Sequence, residues 1–412
     1  MNDSQVSWAE AKIGDLIALD YGRALADTIR SGDGYPVYGS RGVVGKNSIA
    51  FVDGPGIVVG RKGTVGAITW SQERFWPIDT TYYVRWYDET LVDRRWTYWY
   101  LSTLPLKRLD SSTGVPGLNR NDAYELNVLL PPIAEQRRIA EILDTVDEAI
   151  RSTERLIAKL EQTKQGLLYD LLTRGIDEFG HLRDRRRDAF VQTPLGPLPG
   201  SWRVEPVGAL LADVNPAMRS GPFGSALLKS ELVNEGIPML GIDNVEVEHF
   251  ARNYSRFVSY DKYQELTRYT VRPRDVMVTI MGTVGRCCVV PDDIGPALSS
   301  KHVWTLTFDQ NLYLPELACL QINYSDWVLR HFARDVQGGI MSAIRSDTLR
   351  TTLLPVPQIA EQRRIVEILR TQQSRIEIAR EESAKLRLLK QGLMDDLLTG
   401  RVRVSAGEGA TV

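Results

Sequence analysis

Few residues of this chain have a type and spacing that would support catalysis or metal binding. Four histidines are scattered without the spacing of a metal site, at His181, His249, His302 and His331. Asp292 and Asp293 are paired carboxylates, a type that binds divalent cations, but Pro291 and Gly295 flank them and predict a turn instead. We therefore expect no catalytic residues and no metal site.

Phosphate-binding and methyltransferase motifs are also missing. The sequence has no G-x-x-x-x-G-K-[ST] loop, and the glycine-rich residues 54–60 have one residue too many for a dinucleotide fingerprint, which favours a turn between strands. The Asn-or-Asp-Pro-Pro-aromatic motif that a methyltransferase would need is absent. Cys287, Cys288 and Cys319 lack zinc or disulfide spacing and are predicted to be buried free thiols.

Length and composition indicate a globular protein of several domains. A chain of 412 residues predicts two or three domains, and 43% apolar with 25% charged residues is typical of the globular class. No run approaches the roughly 18 apolar residues of a membrane span, and no signal-peptide pattern begins the chain, so we expect a cytoplasmic protein. The net charge of −2 does not indicate a nucleic-acid partner, so any DNA binding would depend on local patches.

One stretch of the chain occurs twice. Residues 133–139, Ile-Ala-Glu-Gln-Arg-Arg-Ile, return unchanged at residues 359–365, and the same offset of 226 aligns Gln-Gly-Leu at 165–167 with 391–393. A match without gaps over this length predicts a long helix, because an insertion would rotate every later side chain off its face.

Both copies carry a coiled-coil seam with alternating steps of four and three residues. The first runs from Ile139 to Leu171 and the second from Ile365 to Leu397, with Lys164 and Lys390 at matched polar positions. Each helix of about 40 residues would be roughly 60 Å long. The sequence therefore predicts two matched helices that serve as spacers or assembly surfaces.

The globular parts that precede the two helices are also related, but they have diverged. In residues 1–130, apolar runs at 57–60 and 64–70 flank Arg61 and Lys62 and predict a β-hairpin with two basic residues at its tip. Residues 34–39 and 63–66 resemble 236–241 and 282–285, at offsets of 202 and 219. Divergence on a common frame suggests two related modules that recognise two different targets.

Together these features resemble the specificity subunits of type I restriction-modification systems. The resemblance covers nearly the whole chain and includes Pro-Pro-x-x-Glu-Gln-x-x-Ile at 131–139, Leu-Pro-Gly-Ser-Trp at 198–202, and the duplicated order of domain and helix. The second copy departs from the pattern only mildly, with Pro357 and Gln358 in place of the two prolines.

The resemblance implies an α+β fold with internal duplication and pseudo-twofold symmetry, in which two β-rich target-recognition domains are separated by two long antiparallel coiled-coil helices. The expected division is 1–130 for the first recognition domain, 131–175 for the first helix, 176–200 for a linker, 201–355 for the second recognition domain, 356–400 for the second helix and 401–412 for a tail. Each recognition domain would read one half of a bipartite site in double-stranded DNA, while the helix pair sets the spacer between the halves.

The resemblance also implies the partners. The subunit would be non-catalytic, would bind no cofactor itself, and would dock two methyltransferase subunits on the exposed faces of its helices. Those partners would use S-adenosylmethionine, and restriction subunits joined through the complex would use ATP and Mg²⁺.

Candidate DNA contacts are polar or basic residues on predicted loops, because such side chains bond phosphates and base edges. They are Arg41, Lys46, Asn47, Arg61, Lys62, Asn119 and Arg120 in the first domain, and Arg219, Lys229, Arg286, Lys301, His302 and Arg345 in the second. Arg61 and Lys62 are the strongest candidates. Glu135-Gln136 and Glu361-Gln362 lie in the first turns of the helices, where a structural role is as plausible as contact with a partner.

Two alternatives stay open at the level of the sequence. One is a coiled-coil scaffold that binds protein without sequence-specific DNA binding, which would explain the helices but not the two diverged domains. The other is an enzyme with its own nuclease or methyltransferase centre, which the missing motifs oppose.

Overall fold

The computed structural model describes residues 8–109, 117–336 and 343–405. The chain forms two compact units: unit 1 comprises Met1–Leu156 with Ala379–Val412, and unit 2 comprises Ile157–Ile378. Within the described ranges, no helix is both long and apolar enough to cross a membrane.

The described part of unit 1 contains strands and short helices, the start of the first long helix and the end of the second. Its strands are β1 (Ala9–Lys12), β2 (Ile17–Tyr21), β3 (Tyr35–Gly39), β4 (Gly42–Asn47), β5 (Gly56–Gly60), β6 (Ile68–Ser71), β7 (Trp76–Pro77), β8 (Thr81–Trp86) and β9 (Asn127–Leu130). Its helices are α1 (Ile13–Leu16), α2 (Arg94–Thr103), α3 (Arg120–Tyr124) and the start of α4 (Ile133–Thr173).

Unit 2 repeats this plan and adds a hairpin. Its strands are β10 (Phe190–Thr193), β11 (Gly196–Pro199), β12 (Arg203–Pro206), β13 (Met218–Arg219), β14 (Leu232–Val233), β15 (Ile237–Leu240), β16 (Phe257–Val258), β17 (Val276–Thr279), β18 (Cys287–Val289), β19 (Leu298–Ser299), β20 (Val303–Leu306) and β21 (Leu353–Val356). Its helices are α5 (Tyr260–Glu265), α6 (Pro315–Tyr324), α7 (Asp326–Val336), α8 (Ser346–Thr351) and the start of α9 (Ile359–Leu397).

The sheets of the two units confirm the internal duplication. Four-stranded antiparallel sheets with the orders β2-β8-β5-β6 and β13-β20-β17-β18 occur in unit 1 and unit 2, respectively. Val58 is paired with Tyr83 in the first sheet, and the corresponding Met277 is paired with Thr305 in the second, so the register is also shared. A parallel pair, β3-β7 or β15-β19, is repeated as well. The predicted α+β class is confirmed.

The predicted hairpin is present as β5 and β6. Its connection runs over residues 61–67 and is longer than the predicted turn, because the chain first folds back on Gly60 before it continues as a strand. Asp93 caps α2 by accepting hydrogen bonds from the backbone N–H groups of Arg95 and Trp96 at 2.8 and 2.9 Å. Residues 110–116 lie outside the described residues, and Arg120 begins α3.

The seam predicted for the long helices is confirmed by burial. All of its positions from Ile139 to Leu171 in α4 and from Ile365 to Leu397 in α9 are buried or half-buried. Within unit 1 the helices run antiparallel, because Asp147 of α4 pairs with Lys390 of α9 while Glu154 pairs with Arg387. The ends of the seam join the cores of the units, with Ile139, Leu143 and Leu397 in unit 1 and Leu171, Ile365 and Leu369 in unit 2.

The repeated Gln of the helix start is a structural residue in both units. The Gln136 amide accepts a hydrogen bond from the Asp93 N–H at 2.8 Å and donates to the carbonyls of Leu91 and Pro131, both at 2.8 Å. The Gln362 amide makes the same three bonds to backbone groups of Leu314, Leu312 and Pro357, at 2.9 Å each. Both side chains are fully buried, so they join the first helical turn to the preceding globular part.

The repeated Glu, which precedes the Gln, forms an ion pair with an arginine and accepts a hydrogen bond from a tryptophan in each unit. In unit 1, the Glu135 carboxylate accepts hydrogen bonds from the Trp8 indole at 3.0 Å and from Nε and Nη2 of Arg403, both at 2.8 Å. In unit 2, the Glu361 carboxylate accepts from the Trp202 indole at 3.1 Å and from Nη1 and Nη2 of Arg183 at 2.5 and 3.0 Å. The structural role left open by the sequence is therefore the observed one.

The segments that supply these arginines have more structure than a linker or a tail. Arg183 lies in the predicted linker 176–200, which also contains the β10-β11 hairpin. Arg403 lies in the predicted tail 401–412, whose described residues end at 405. Each segment follows one long helix and closes on the start of a long helix in its own unit.

Candidate nucleic-acid interface

The connections after β5 and β17 have the same backbone hydrogen bonds. In unit 1, the Gly60 N–H donates to the Ala67 carbonyl and the Gly66 N–H donates to the Gly60 carbonyl, both at 2.8 Å. In unit 2, the Thr279 N–H donates to the Arg286 carbonyl and the Gly285 N–H donates to the Thr279 carbonyl, both at 2.9 Å. The units thus present equivalent loops, residues 61–66 and 280–285.

Both loops require glycine at their last residue. Gly66 has φ of +72° and Gly285 has φ of +85°, in the left-handed region that side chains disfavour. A Cβ atom on Gly66 would also approach the Leu106 Cβ to 2.7 Å. The Gly-Thr-Val-Gly similarity seen in the sequence therefore reflects a shared loop conformation.

Two further segments flank the first residue of each loop. The Arg61 N–H donates to the Thr80 carbonyl at 3.0 Å, and the Leu118 N–H donates to the Arg61 carbonyl at 2.9 Å. The equivalent residue in unit 2 is Ile280, whose N–H donates to the His302 carbonyl at 3.1 Å and whose carbonyl accepts from the Ile344 N–H at 3.2 Å. These contacts make Thr80 equivalent to His302 and Leu118 equivalent to Ile344. The latter pair has the helix offset of 226.

In unit 1 this arrangement brings together four predicted basic residues, Arg41, Arg61, Lys62 and Arg120, which we name basic surface 1. The Arg41 Nε donates to the Thr64 hydroxyl at 3.0 Å, inside the loop. The Lys62 side chain is exposed, and its backbone N–H donates to the Thr80 carbonyl at 3.0 Å.

Tyr21 organises the centre of basic surface 1. Its ring is half exposed and faces the guanidinium groups of Arg61 and Arg120. The Cζ atoms of these arginines lie 5.1 and 4.8 Å, respectively, from the centroid of the ring. Burial, together with the nearby Tyr21 hydroxyl, raises the pKa of Tyr82 to about 12 against the opposing effect of the two arginines. Tyr82 therefore stays neutral beside the arginines, whose charges remain available to an anionic ligand.

In unit 2 a concave surface of about 210 Å³ carries Lys229, Lys301 and His302 together with Arg256. We name these four residues basic surface 2. Burial lowers the pKa of His302, and the charges of Lys301 and Arg256 lower it further, so His302 is a neutral hydrogen-bonding group near pH 7. Phosphates would meet three cationic side chains here, while the imidazole offers a neutral donor or acceptor.

Arg256 is the member of this surface that sequence reasoning missed. It directly precedes β16, and its Nη2 lies 3.3 Å from the Asp243 carboxylate. In the sequence it is an isolated arginine between Tyr254 and Phe257, without a pattern that predicts a place on a binding surface. Only the packing of β16 beside β15 brings Arg256 to the surface that carries Lys301.

Two predicted contacts are corrected because their side chains are used inside the fold. Arg219 is 3% exposed, ion-paired with the buried Asp275, and hydrogen-bonded through Nε to the Thr270 carbonyl at 2.7 Å. Burial lowers its pKa to about 10, which still leaves it charged at neutral pH as the partner of Asp275. Asn47 is 7% exposed, and its amide donates to the Ile49 carbonyl at 2.9 Å. Both residues stabilise loops and strands from within.

The remaining predicted residues lie at the periphery of the two surfaces or away from them. Asn119 caps α3 by accepting a hydrogen bond from the Asn121 N–H at 3.0 Å, and Arg345 occupies the equivalent place before α8. Arg286 is exposed at the end of loop 280–285. Lys46 is exposed at the end of β4 farthest from the β3-β4 turn that carries Arg41.

Among the described residues, no three His, Cys, Asp or Glu side chains form a group that could hold a metal ion. The three cysteines are buried free thiols, as predicted for them, and burial raises the pKa of Cys287 and Cys288.

Comparisons with known proteins agree with the duplicated fold. The model of the family described as type I restriction modification DNA specificity domain matches residues 5–162. The specificity subunit of the type I restriction enzyme MjaVIII from Methanocaldococcus jannaschii is 24% identical over 303 residues, which cover 73% of this chain and 67% of the relative. That of the Escherichia coli enzyme EcoBI is 23% identical, over 81% of this chain and 72% of the relative.

The solved structures show the same fold. The S subunit of a type I restriction-modification system from M. genitalium superposes with a TM-score of 0.64 at 15% identity, over 97% of this chain and 98% of that chain. The names of these relatives describe specificity subunits, which is the family that the sequence of this chain resembles. The chain thus matches the type I restriction modification DNA specificity domain over residues 5–162, repeats the topology of that part in unit 2, and is similar over most of its length to specificity subunits of type I restriction-modification systems.

Proposed function

We propose that unit 1 and unit 2 each read one half of a bipartite site in double-stranded DNA, through basic surface 1 and basic surface 2. The observation that carries this proposal is the equivalence of the two loops. Residues 61–66 and 280–285 share their backbone conformation and their flanking segments, yet the side chains around them differ. A common frame with different side chains is what two readers of different base sequences require.

The proposed contacts divide by chemistry. Arg61 and Arg256 have planar guanidinium groups that can bond guanine bidentately, which makes them the proposed base readers. Lys62, Lys229 and Lys301 are better suited to phosphates, where a point charge is sufficient.

We further propose that the exposed faces of the helices dock two methyltransferase subunits. In support, α4 exposes Leu156 and Tyr169, while α9 exposes Ile378 and Leu388, at 48–74% of their maximum areas. These exposed apolar side chains would offer contacts to a protein partner along both helices. The methyltransferase would bind S-adenosylmethionine, restriction subunits in the complex would bind ATP and Mg²⁺, and the assembly would act on DNA in the cytoplasm.

The proposal predicts that substitutions in each surface affect only one half of the DNA site. We expect Arg61→Ala to weaken discrimination in one half-site about tenfold and Arg256→Ala to do so in the other, because a bidentate contact to a base contributes roughly 1–3 kcal/mol. The measurement is methylation of duplexes carrying single-base changes in either half, by the chain in complex with its methyltransferase.

Lys46→Ala is the matched control, because Lys46 is exposed in the same domain but lies at the other end of β4 from Arg41. It should change discrimination less than twofold. Equal effects of Arg61→Ala and Lys46→Ala would contradict the assignment of basic surface 1. Methylation that does not depend on DNA sequence would favour the scaffold alternative.

A further inference from the structure

Each coiled-coil seam contains one lysine at the matched position, Lys164 in α4 and Lys390 in α9, related by the offset of 226. Their side chains are only 9% and 25% exposed, respectively. An ammonium group in such a seam destabilises the fold unless a carboxylate compensates its charge. The two units provide this carboxylate from different places.

In unit 1 the carboxylate comes from the other helix. The Lys390 Nζ donates to the Asp147 Oδ1 at 2.5 Å and lies 4.6 Å from the centroid of the Trp99 ring. Burial alone would raise the pKa of Asp147, but its bonds to Lys390 and Arg151 outweigh burial and hold that pKa below its usual range. The helix pair of unit 1 therefore compensates its buried lysine without a charge from the globular part.

In unit 2 the residue matched to Asp147 is Gln373, which carries no charge. The Lys164 Nζ donates to the Gln373 Oε1 at 2.8 Å, and it also donates to the Glu248 Oε1 at 2.5 Å. The Tyr324 hydroxyl bonds the same Glu248 oxygen. The charge that α9 lacks is thus supplied by the globular part of unit 2.

Glu248 is held in place by an unusual turn. Its φ of +60° lies in the left-handed region, which side chains disfavour, and a bridge between Val245 and Phe250 closes the turn around it. The Glu248 N–H donates to the Cys287 carbonyl at 3.0 Å. Cys287 begins β18 directly after Arg286, so the turn is joined to the end of loop 280–285.

We propose that Glu248 is a positioning residue for DNA recognition: by compensating Lys164, it fixes the turn 245–250 and the neighbouring loop 280–285 on α4. The orientation of basic surface 2 on its helix thereby depends on a buried charge. Basic surface 1 has no such dependence, because Asp147 already compensates Lys390. The inference rests on the proposed function and adds a residue that specifies how the second half-site is presented.

The test compares two exchanges of a carboxylate for an amide in the full chain, Glu248→Gln and Asp147→Asn. Both leave a buried lysine without its counter-charge, and we expect each to lower the midpoint of thermal unfolding by about 5 °C. Only Glu248→Gln should lower discrimination at the half-site read by unit 2, by about tenfold, with the other half-site unchanged. Discrimination is measured by methylation of duplexes with changes in either half, in complex with the methyltransferase.

Gln373→Asp in the Glu248→Gln background separates positioning from charge compensation. It gives Lys164 a carboxylate in the place that Asp147 has for Lys390, so we expect the unfolding midpoint to recover while discrimination stays low. Recovery of both would show that Glu248 is only a counter-ion and would overturn the proposal, as would equal losses at both half-sites after Glu248→Gln. If the unsubstituted complex had no bipartite preference, the proposed function would fail instead, whereas the unfolding midpoints would still report on the lysine and its partners.

Discussion

Replacing Glu135 with alanine is expected to lower the free energy of unfolding of unit 1 by about 3 kcal/mol. The substitution breaks a buried ion pair and leaves the Arg403 guanidinium without its counter-charge. The Glu135 side chain is 7% exposed and that of Arg403 is 27% exposed, so water can replace little of the lost interaction. The Trp8 indole N–H loses its acceptor as well. Chemical denaturation of the full chain measures the effect.

Glu141→Ala provides the matched control in the same helix. The Glu141 side chain is 66% exposed and pairs with Arg138, and its loss should change the free energy of unfolding by less than about 0.5 kcal/mol. If Glu135→Ala lowered the free energy of unfolding by as little as Glu141→Ala does, the contact with Arg403 would contribute little to the stability of the fold.

The difference in the free energy of unfolding between wild type and Glu135→Ala depends on pH through the pKa of Glu135. Burial would raise that pKa, but hydrogen bonds from Arg403, Trp8 and the Val404 N–H outweigh burial and hold it below its usual range. A carboxylate with a lowered pKa stabilises the fold above its unfolded pKa, about 4.3, and loses this contribution as the pH falls through its folded pKa. The difference between wild type and Glu135→Ala should therefore be constant from pH 8 to pH 5 and decrease below about pH 4.

Removing seven residues from each long helix is expected to shorten the DNA spacer while both half-sites stay the same. Deleting 155–161 from α4 and 380–386 from α9 removes one seam repeat from each helix, about 10 Å of length. The Asp147–Lys390 and Lys164–Gln373 contacts lie outside the deleted residues and keep matched separations along both helices. Methylation at the original spacing should fall more than tenfold, and the preferred spacer should be shorter by up to about three base pairs.

Deleting 155–161 from α4 alone is the control for the paired deletion. It shifts one seam against the other by a full repeat, so it should destabilise the chain rather than define a new spacer. Altered half-sites with an unchanged spacer after the paired deletion would contradict the hypothesis that the helices set the spacer.

The features that follow from local periodicity could be predicted from the sequence. The spacing from Ile139 to Leu171 defines a buried face of a helix whatever the rest of the chain does, and burial along α4 and α9 confirms it. The apolar runs around Arg61 similarly specify a hairpin through side-chain alternation and a glycine-containing turn.

The features that depend on long-range packing could not be predicted in this way. Arg219 and Arg256 have equally polar side chains, but Arg219 is buried against Asp275, 56 positions later in the chain, whereas Arg256 lines a surface. The contact between Glu135 and Arg403 joins residues 268 positions apart, so the sequence suggested a role at the helix dipole or contact with a partner for Glu135, but not this ion pair. The order of the strands in the sheet decides which basic residues lie around the same loop. That order cannot be predicted from the residue types of a short segment.

The proposal that each unit reads one half-site can be tested by mapping methylated bases in the genome of cells that express this chain with its methyltransferase. We expect a bipartite motif, two short specific sequences separated by a spacer of fixed length and unspecified bases. In cells with Arg61→Ala, one part of the motif should lose definition while the other part and the spacer are retained. A continuous motif, or methylation without a motif, would show that the two units do not read separate half-sites.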